Sequence, residues 1–132
     1  MAASSVARKT NYQVIHTISR TFNVTDLNLA TGLLIGTLPA GAVLDKTMVH
    51  TSTAWNGTVS VAASVGTTLT GTDLINGTDV RTAAARVDTV VPIAKAGPLA
   101  ADTPIYASFA FGGTAGTTGV TTVTVTYNPN IG

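Results

Sequence analysis

Few residues in this 132-residue chain could do chemistry: two histidines (His16 and His50), six aspartates, and a glycine-rich stretch, GGTAGTTG, at 112–119. Two imidazoles on neighbouring strands can begin a metal site. A third ligand would have to be Asp45 or another lone aspartate, and no spacing enforces that. Acyl transfer needs a nucleophile, a base and an orienting acid within hydrogen-bond reach. The chain has no cysteine and no G-x-S-x-G elbow. Glycoside hydrolysis needs two carboxylates in tuned environments. Here Asp26, Asp73, Asp79 and Asp102 fall in stretches that read as turns, where aspartate caps backbone N–H groups. The glycine-rich stretch lacks the Lys-Ser/Thr pair of a phosphate loop and precedes a strand rather than a helix. Alternating acids of a calcium loop are also missing. The expectation is a protein that is not an enzyme, with no cofactor and no metal. Both histidines are expected to be structural.

The elements that would position these residues are strands. From Tyr12 the even positions read Tyr12, Val14, His16, Ile18, Arg20, Phe22 and Val24, between mostly polar odd positions. That period of two predicts a long strand with one buried face. LLIGTL at 33–38 predicts a short apolar strand, and PAG at 39–41 a tight turn. A second long strand is predicted at 42–53. The stretch TSTAWNGTVSVAASVG, 51–66, then holds the only tryptophan beside an Asn-Gly pair. Asn-Gly between alternating runs is a strong hairpin signal, because both residues accept the positive φ of a type I′ turn. Trp55 would sit at the strand end, its ring covering the core and its N–H in water. The alternative is a Trp55 presented outward as an anchor for a neighbour. The next strand puts Val59, Val61, Ala63 and Val65 on one face.

Residues 66–86 are the least regular part, with Leu69, Leu74, Ile75 and Val80 as local plugs and RTAAAR as at most one helical turn. VDTVVPI at 87–93 predicts a strand whose proline suits an edge or an end. Ile105, Ala107, Phe109 and Phe111 alternate in the next strand. GGTAGTTG reads as a hairpin loop, and the last strand sets Val123, Val125 and Tyr127 opposite Thr122, Thr124 and Thr126. Seven to eight strands without a convincing helix define an all-β chain, an antiparallel β-sandwich that is jelly-roll-like. Its expected core is Val14, Ile18, Phe22, Val59, Val61, Phe109, Val123 and Val125. Residues 1–10, small and polar with Arg8 and Lys9, read as a flexible N-terminal arm outside a single domain at 11–132.

Composition narrows the role. Lysine and arginine total seven, aspartate six, and glutamate is absent, for a net charge of +1. The cations are scattered rather than striped, so nucleic acid is not expected as a partner. No apolar run approaches the ~20 residues of a membrane-spanning helix, so no membrane partner is expected. The stretch MAASSVARKTN has no apolar core of a secretory signal. The Asn-x-Thr sequons at Asn23, Asn56 and Asn76 are accordingly expected to be idle. Threonine is abundant, at 25 residues. Its β-branched side chain suits pleated sheet. A threonine surface also buries against another protein with few ions to desolvate and few long side chains to freeze. That favours an assembly subunit.

Two regions extend this reading. IGTLPAGAVLDKTMVHTSTAWNGTVSVAASVG, 35–66, and DTPIYASFAFGGTAGTTGVTTVTVTY, 102–127, resemble segments of small β-sandwich virion proteins of tailed bacteriophages, of the head decoration (cementing) type. The resemblance implies a homo-oligomer, dimer or trimer, on the capsid surface of the virion. It would be made in the bacterial host cytoplasm and would bind the major capsid protein to stabilise the head. It also leaves open a head-fibre or tail component acting as a receptor- or carbohydrate-binding module. The contact residues expected on either reading are Arg8 and Lys9 of the arm, Trp55 and Asn56 at one tip, and Gly113 and Thr114 at another. The irregular middle, 66–86, departs from the pattern.

Overall fold

The computed structural model describes residues 15–82, 85–92, 95, 97–114 and 116–129. Among the described residues eight strands follow in order: β1 (His16–Asn23), β2 (Leu33–Leu38), β3 (Val43–Thr53), β4 (Ser60–Gly66), β5 (Ile75–Asp79), β6 (Ala85–Val90), β7 (Thr103–Gly112) and β8 (Val120–Asn128). They form two four-stranded sheets, ordered β1-β8-β3-β6 and β2-β7-β4-β5, with every pair antiparallel. The pairs nest: β1 with β8, β2 with β7, β3 with β6, β4 with β5. The chain is thus a long ribbon folded at β4–β5 and rolled up, which is the jelly-roll-like sandwich expected. Only β4 and β5 are both consecutive in sequence and paired. Each other connection crosses from one sheet to the other.

Alternation puts Val61, Ala63 and Val65 of β4, Ile105, Ala107 and Phe109 of β7, and Val123 and Val125 of β8 in the core between the sheets. Phe22 from β1 and Val49 from β3 complete its centre. At the open side between β1 and β2, Ile18 is only half-buried, and it packs where a Cβ on Gly36 would sit 3.2 Å away. Arg20 lies on the same row of β1. Its Nη1 donates to the Leu34 carbonyl at 2.7 Å, and its guanidinium sits 5.4 Å from the Phe22 ring centroid. A charged residue in an apolar row is thereby explained: Arg20 laces the two sheet edges together and keeps its head in water.

Several expectations change. Val59 is 64% exposed, because it precedes β4 in a bend and does not share the alternation of Val61. Leu69 is also exposed, whereas Leu74, Ile75 and Val80 are buried as plugs. Arg86 lies in strand β6 rather than in a helical turn. β6 is an edge strand, and Pro92 follows its end. Neither glycine-bearing segment is a hairpin loop: 54–59 and 113–119 both carry the chain between sheets. Asn56 and Gly57 do not adopt the positive φ of a type I′ turn. His16 and His50 are not neighbours. β8 runs between their strands, where His16 opposes Tyr127 and His50 opposes Thr122. Tyr12 and Val14 lie outside the described residues.

Candidate functional site

Four connections meet at one end of the sandwich, with their described residues at 24–32, 54–59, 80–82 and 113–114 with 116–119. Their strands end there because antiparallel neighbours must turn at the same level, and backbone groups left unpaired by the crossings need partners. They find them in one another. Val24 N–H donates to Gly119 O at 3.0 Å, Trp55 N–H to Val80 O at 3.1 Å, and Asn56 N–H to Thr118 O at 3.3 Å.

Trp55 is withdrawn from this surface: its ring covers the end of the core as expected, but its N–H is not in water and it is not presented outward as an anchor. It is 1% exposed and stacks on Phe109 with ring centroids 4.7 Å apart. Its Nε1–H is not in water but donates to the buried Thr121 hydroxyl at 2.7 Å, and that hydroxyl lies 3.1 Å from the hydroxyl of buried Thr51. Gly119, at φ +155, passes so close to the indole that a Cβ there would lie 2.3 Å from Cδ2. Trp55 therefore plugs the core beneath the loops and offers a partner no surface.

Asn56 is the clamp. Its Oδ1 accepts the backbone N–H groups of Thr117 at 2.7 Å and Thr118 at 3.0 Å, and its Nδ2 donates to the Thr117 hydroxyl at 3.2 Å. Thr58 repeats the device: its Oγ1 accepts Thr114 N–H at 2.8 Å, while Thr58 N–H donates to Thr114 O at 3.1 Å. Gly113 supplies the positive φ, +77, that starts this loop. Asn56, Gly113 and Thr114 are thus brought to one end of the molecule, as a cross-linked loop pair. Arg8 and Lys9 lie outside the described residues.

The exposed groups here are ones that sequence reasoning missed. Leu27 in the 24–32 connection is 81% exposed and Val59 in the 54–59 connection 64% exposed, and the Arg81 guanidinium donates to the Val59 carbonyl. The nearby carboxylates are occupied as turn caps: Asp26 accepts Asn23 N–H, and Asp79 accepts Arg81 N–H, each at 2.9 Å. No local signal marks Leu27 or Val59, since exposure follows from where the crossings pass. The result is a hydrogen-bonded loop end that exposes apolar side chains between charged groups already engaged with backbone. Loops already ordered lose little freedom on binding.

Elsewhere, His50, Met48, Arg86, Thr122 and Thr124 line an open depression of about 280 Å³ on the outer face of the β1-β8-β3-β6 sheet. Arg86 Nε sits 2.8 Å from Asp88, and this bonded guanidinium holds the Asp88 carboxyl below its usual pKa. Among the described residues no three His, Cys, Asp or Glu side chains gather as a metal site would require, and no helix is long and apolar enough to cross a membrane.

No protein-family model matches the chain, and a search of curated proteins found no match. Solved structures do match in fold. A chain of the cyanophage Pam1 capsid asymmetric unit superposes with a TM-score of 0.65 at 18% identity, covering 87% of this chain and 84% of its own. A chain in the capsid of Ralstonia phage GP4 gives 0.61 at 17%, covering 89% and 86%. One in the acid-stable capsid of Helicobacter pylori bacteriophage KHP30 gives 0.65 at 14%, covering 86% of each. Coverage is nearly complete in both directions, so these are chains of about the same length with the same β-sandwich fold.

Proposed function

We propose that this protein is a structural component of a phage virion, a decoration protein that sits on the head and cements the major capsid protein shell. The observation that carries the reading is the near end-to-end likeness of fold to three chains from phage capsids. The composition supports it, because a low-charge, threonine-rich exterior buries against protein at small desolvation cost. So does the braced loop end, where Asn56, Gly113 and Thr114 cross-link two connections and Val59 is exposed.

The mechanism is additive contact. Each copy would contribute an interface of roughly 1,200–2,000 Å² in total. Self-association, as a dimer or trimer, would join several modest contacts into one avid one. The arm at 1–10, with Arg8 and Lys9, would lie across a neighbour and order there.

Quantified gels of purified virions, with heads and tails separated, test the proposal. A decoration protein is present in many copies on heads, and heads stripped of it lose resistance to heat and chelator. Its presence in tails alone, in few copies, would replace this reading with a fibre or tail module. Stripped heads as robust as intact ones would end the cementing role.

A further inference from the structure

The chain contains two Asn-Gly pairs, Asn56–Gly57 and Asn76–Gly77; both asparagines are exposed, but the fold restrains the two pairs differently. An asparagine before glycine is prone to cyclise, because the following nitrogen carries no side chain to shield it. Asn56 is held against this. Three hydrogen bonds fix its amide to Thr117 and Thr118, so swinging it towards the Gly57 nitrogen means breaking them. Gly57 itself is buried.

Asn76 and Gly77 are both exposed. They lie in β5, an edge strand whose register against β4 breaks between Ala63 and Val65, opposite this pair. Gly77 takes φ +70 there, and a Cβ on it would meet a single atom within 4 Å, at 3.9 Å. Among the described residues no hydrogen bond restrains the Asn76 side chain. The Gly77 N–H donates not to a ladder carbonyl but to the rotatable Ser64 hydroxyl at 3.0 Å, a partner that water can replace.

We infer that Asn76–Gly77 is a site of spontaneous deamidation in the folded protein, and that Asn56–Gly57, of identical sequence, is protected by its clamp. The Gly77 backbone nitrogen gives up its proton to solvent and bonds to Asn76 Cγ. The Cγ–Nδ2 bond breaks, and the amide nitrogen takes up a proton and leaves as ammonia. Water then opens the cyclic imide at either carbonyl, yielding aspartate or isoaspartate. No oxidant or reductant is needed. The product places a carboxylate at the edge of a face where the outward residues of β4 and β7, among them Ser60, Ala62, Ser64, Ser108 and Ala110, carry no charge. The inference does not depend on the capsid reading.

The test is peptide mapping by mass spectrometry of the full chain, aged at mildly alkaline pH, folded and in strong urea. Breaking three hydrogen bonds to free Asn56 should slow its conversion in the folded protein by on the order of a hundredfold relative to Asn76. In urea the two sites should convert at comparable rates, and Asn76→Gln should abolish the product in its own peptide while leaving the urea rate at Asn56 unchanged. Equal rates at the two sites in the folded protein, or faster conversion at Asn56, would overturn the inference.

Discussion

Replacing Thr121 by valine probes the bond on which the burial of Trp55 depends. The change is close to isosteric and keeps a β-branched residue in β8, so strand propensity is little altered. What it removes is the hydroxyl 2.7 Å from Trp55 Nε1, in a site where the indole is 1% exposed and Thr121 itself 0%. Water cannot take over, so the N–H is left unpaired at a cost of about 1–3 kcal/mol. Thr51 loses the same partner and can regain less, since it too is buried. For a chain of this size, a loss of about 2 kcal/mol lowers the midpoint of thermal unfolding by roughly 5–10 °C. Urea titration followed by far-UV circular dichroism would measure it, because that signal survives loss of the tryptophan. The cycle with Trp55→Phe then isolates the bond: the double variant should be more stable than the sum of the single losses implies, by about 1 kcal/mol or more. A Thr121→Val protein within about 0.5 kcal/mol of the parent, or a cycle without coupling, would refute the argument.

Gly119→Ala drives a Cβ into the indole and strains a positive φ, so it should cost more than about 3 kcal/mol or prevent folding, seen as a lost or greatly lowered thermal transition. Asn56→Ala should leave the circular dichroism spectrum unchanged but expose Thr117 and Thr118 amides to hydrogen exchange, with stability reduced by about 1–3 kcal/mol. Burial would raise the pKa of Asp73, but hydrogen bonds from the Thr67 hydroxyl at 2.6 Å and backbone N–H at 2.9 Å, with Lys95 nearby, hold it below the ordinary 3.8. A depressed carboxylate stabilises above its unfolded pKa and loses that contribution as pH falls through the folded one. Asp73→Asn should therefore flatten the loss of stability below about pH 4, and an unchanged acid limb in urea titrations would count against it.

How much of this was legible from the sequence depends on the range of the interaction that decides each feature. Period-two alternation determined the long strands and the core faces of β4, β7 and β8, though not β5, because whether a side chain in a strand points in or out is a local property of the pleat. The low charge and the threonine surface were legible for the same reason. Which strands lie side by side was not. Asn56–Gly57 and GGTAGTTG have the local chemistry of hairpins, yet both are crossings between sheets. Strand pairing is chosen by how the whole ribbon rolls, and a turn residue can be spent on another task. Asn56 spends its amide on holding residues 117 and 118, 61 and 62 positions away in the chain. Trp55 was legible as a residue at a strand end, but its burial required Thr121 and Gly119 from β8 and the loop before it to arrive on the far side. Val59 shows the converse: it has the right parity for the core but lies one residue before the strand that parity assumes. Only tertiary structure could decide these cases, because each rests on contacts between segments brought together by the roll of the sheet.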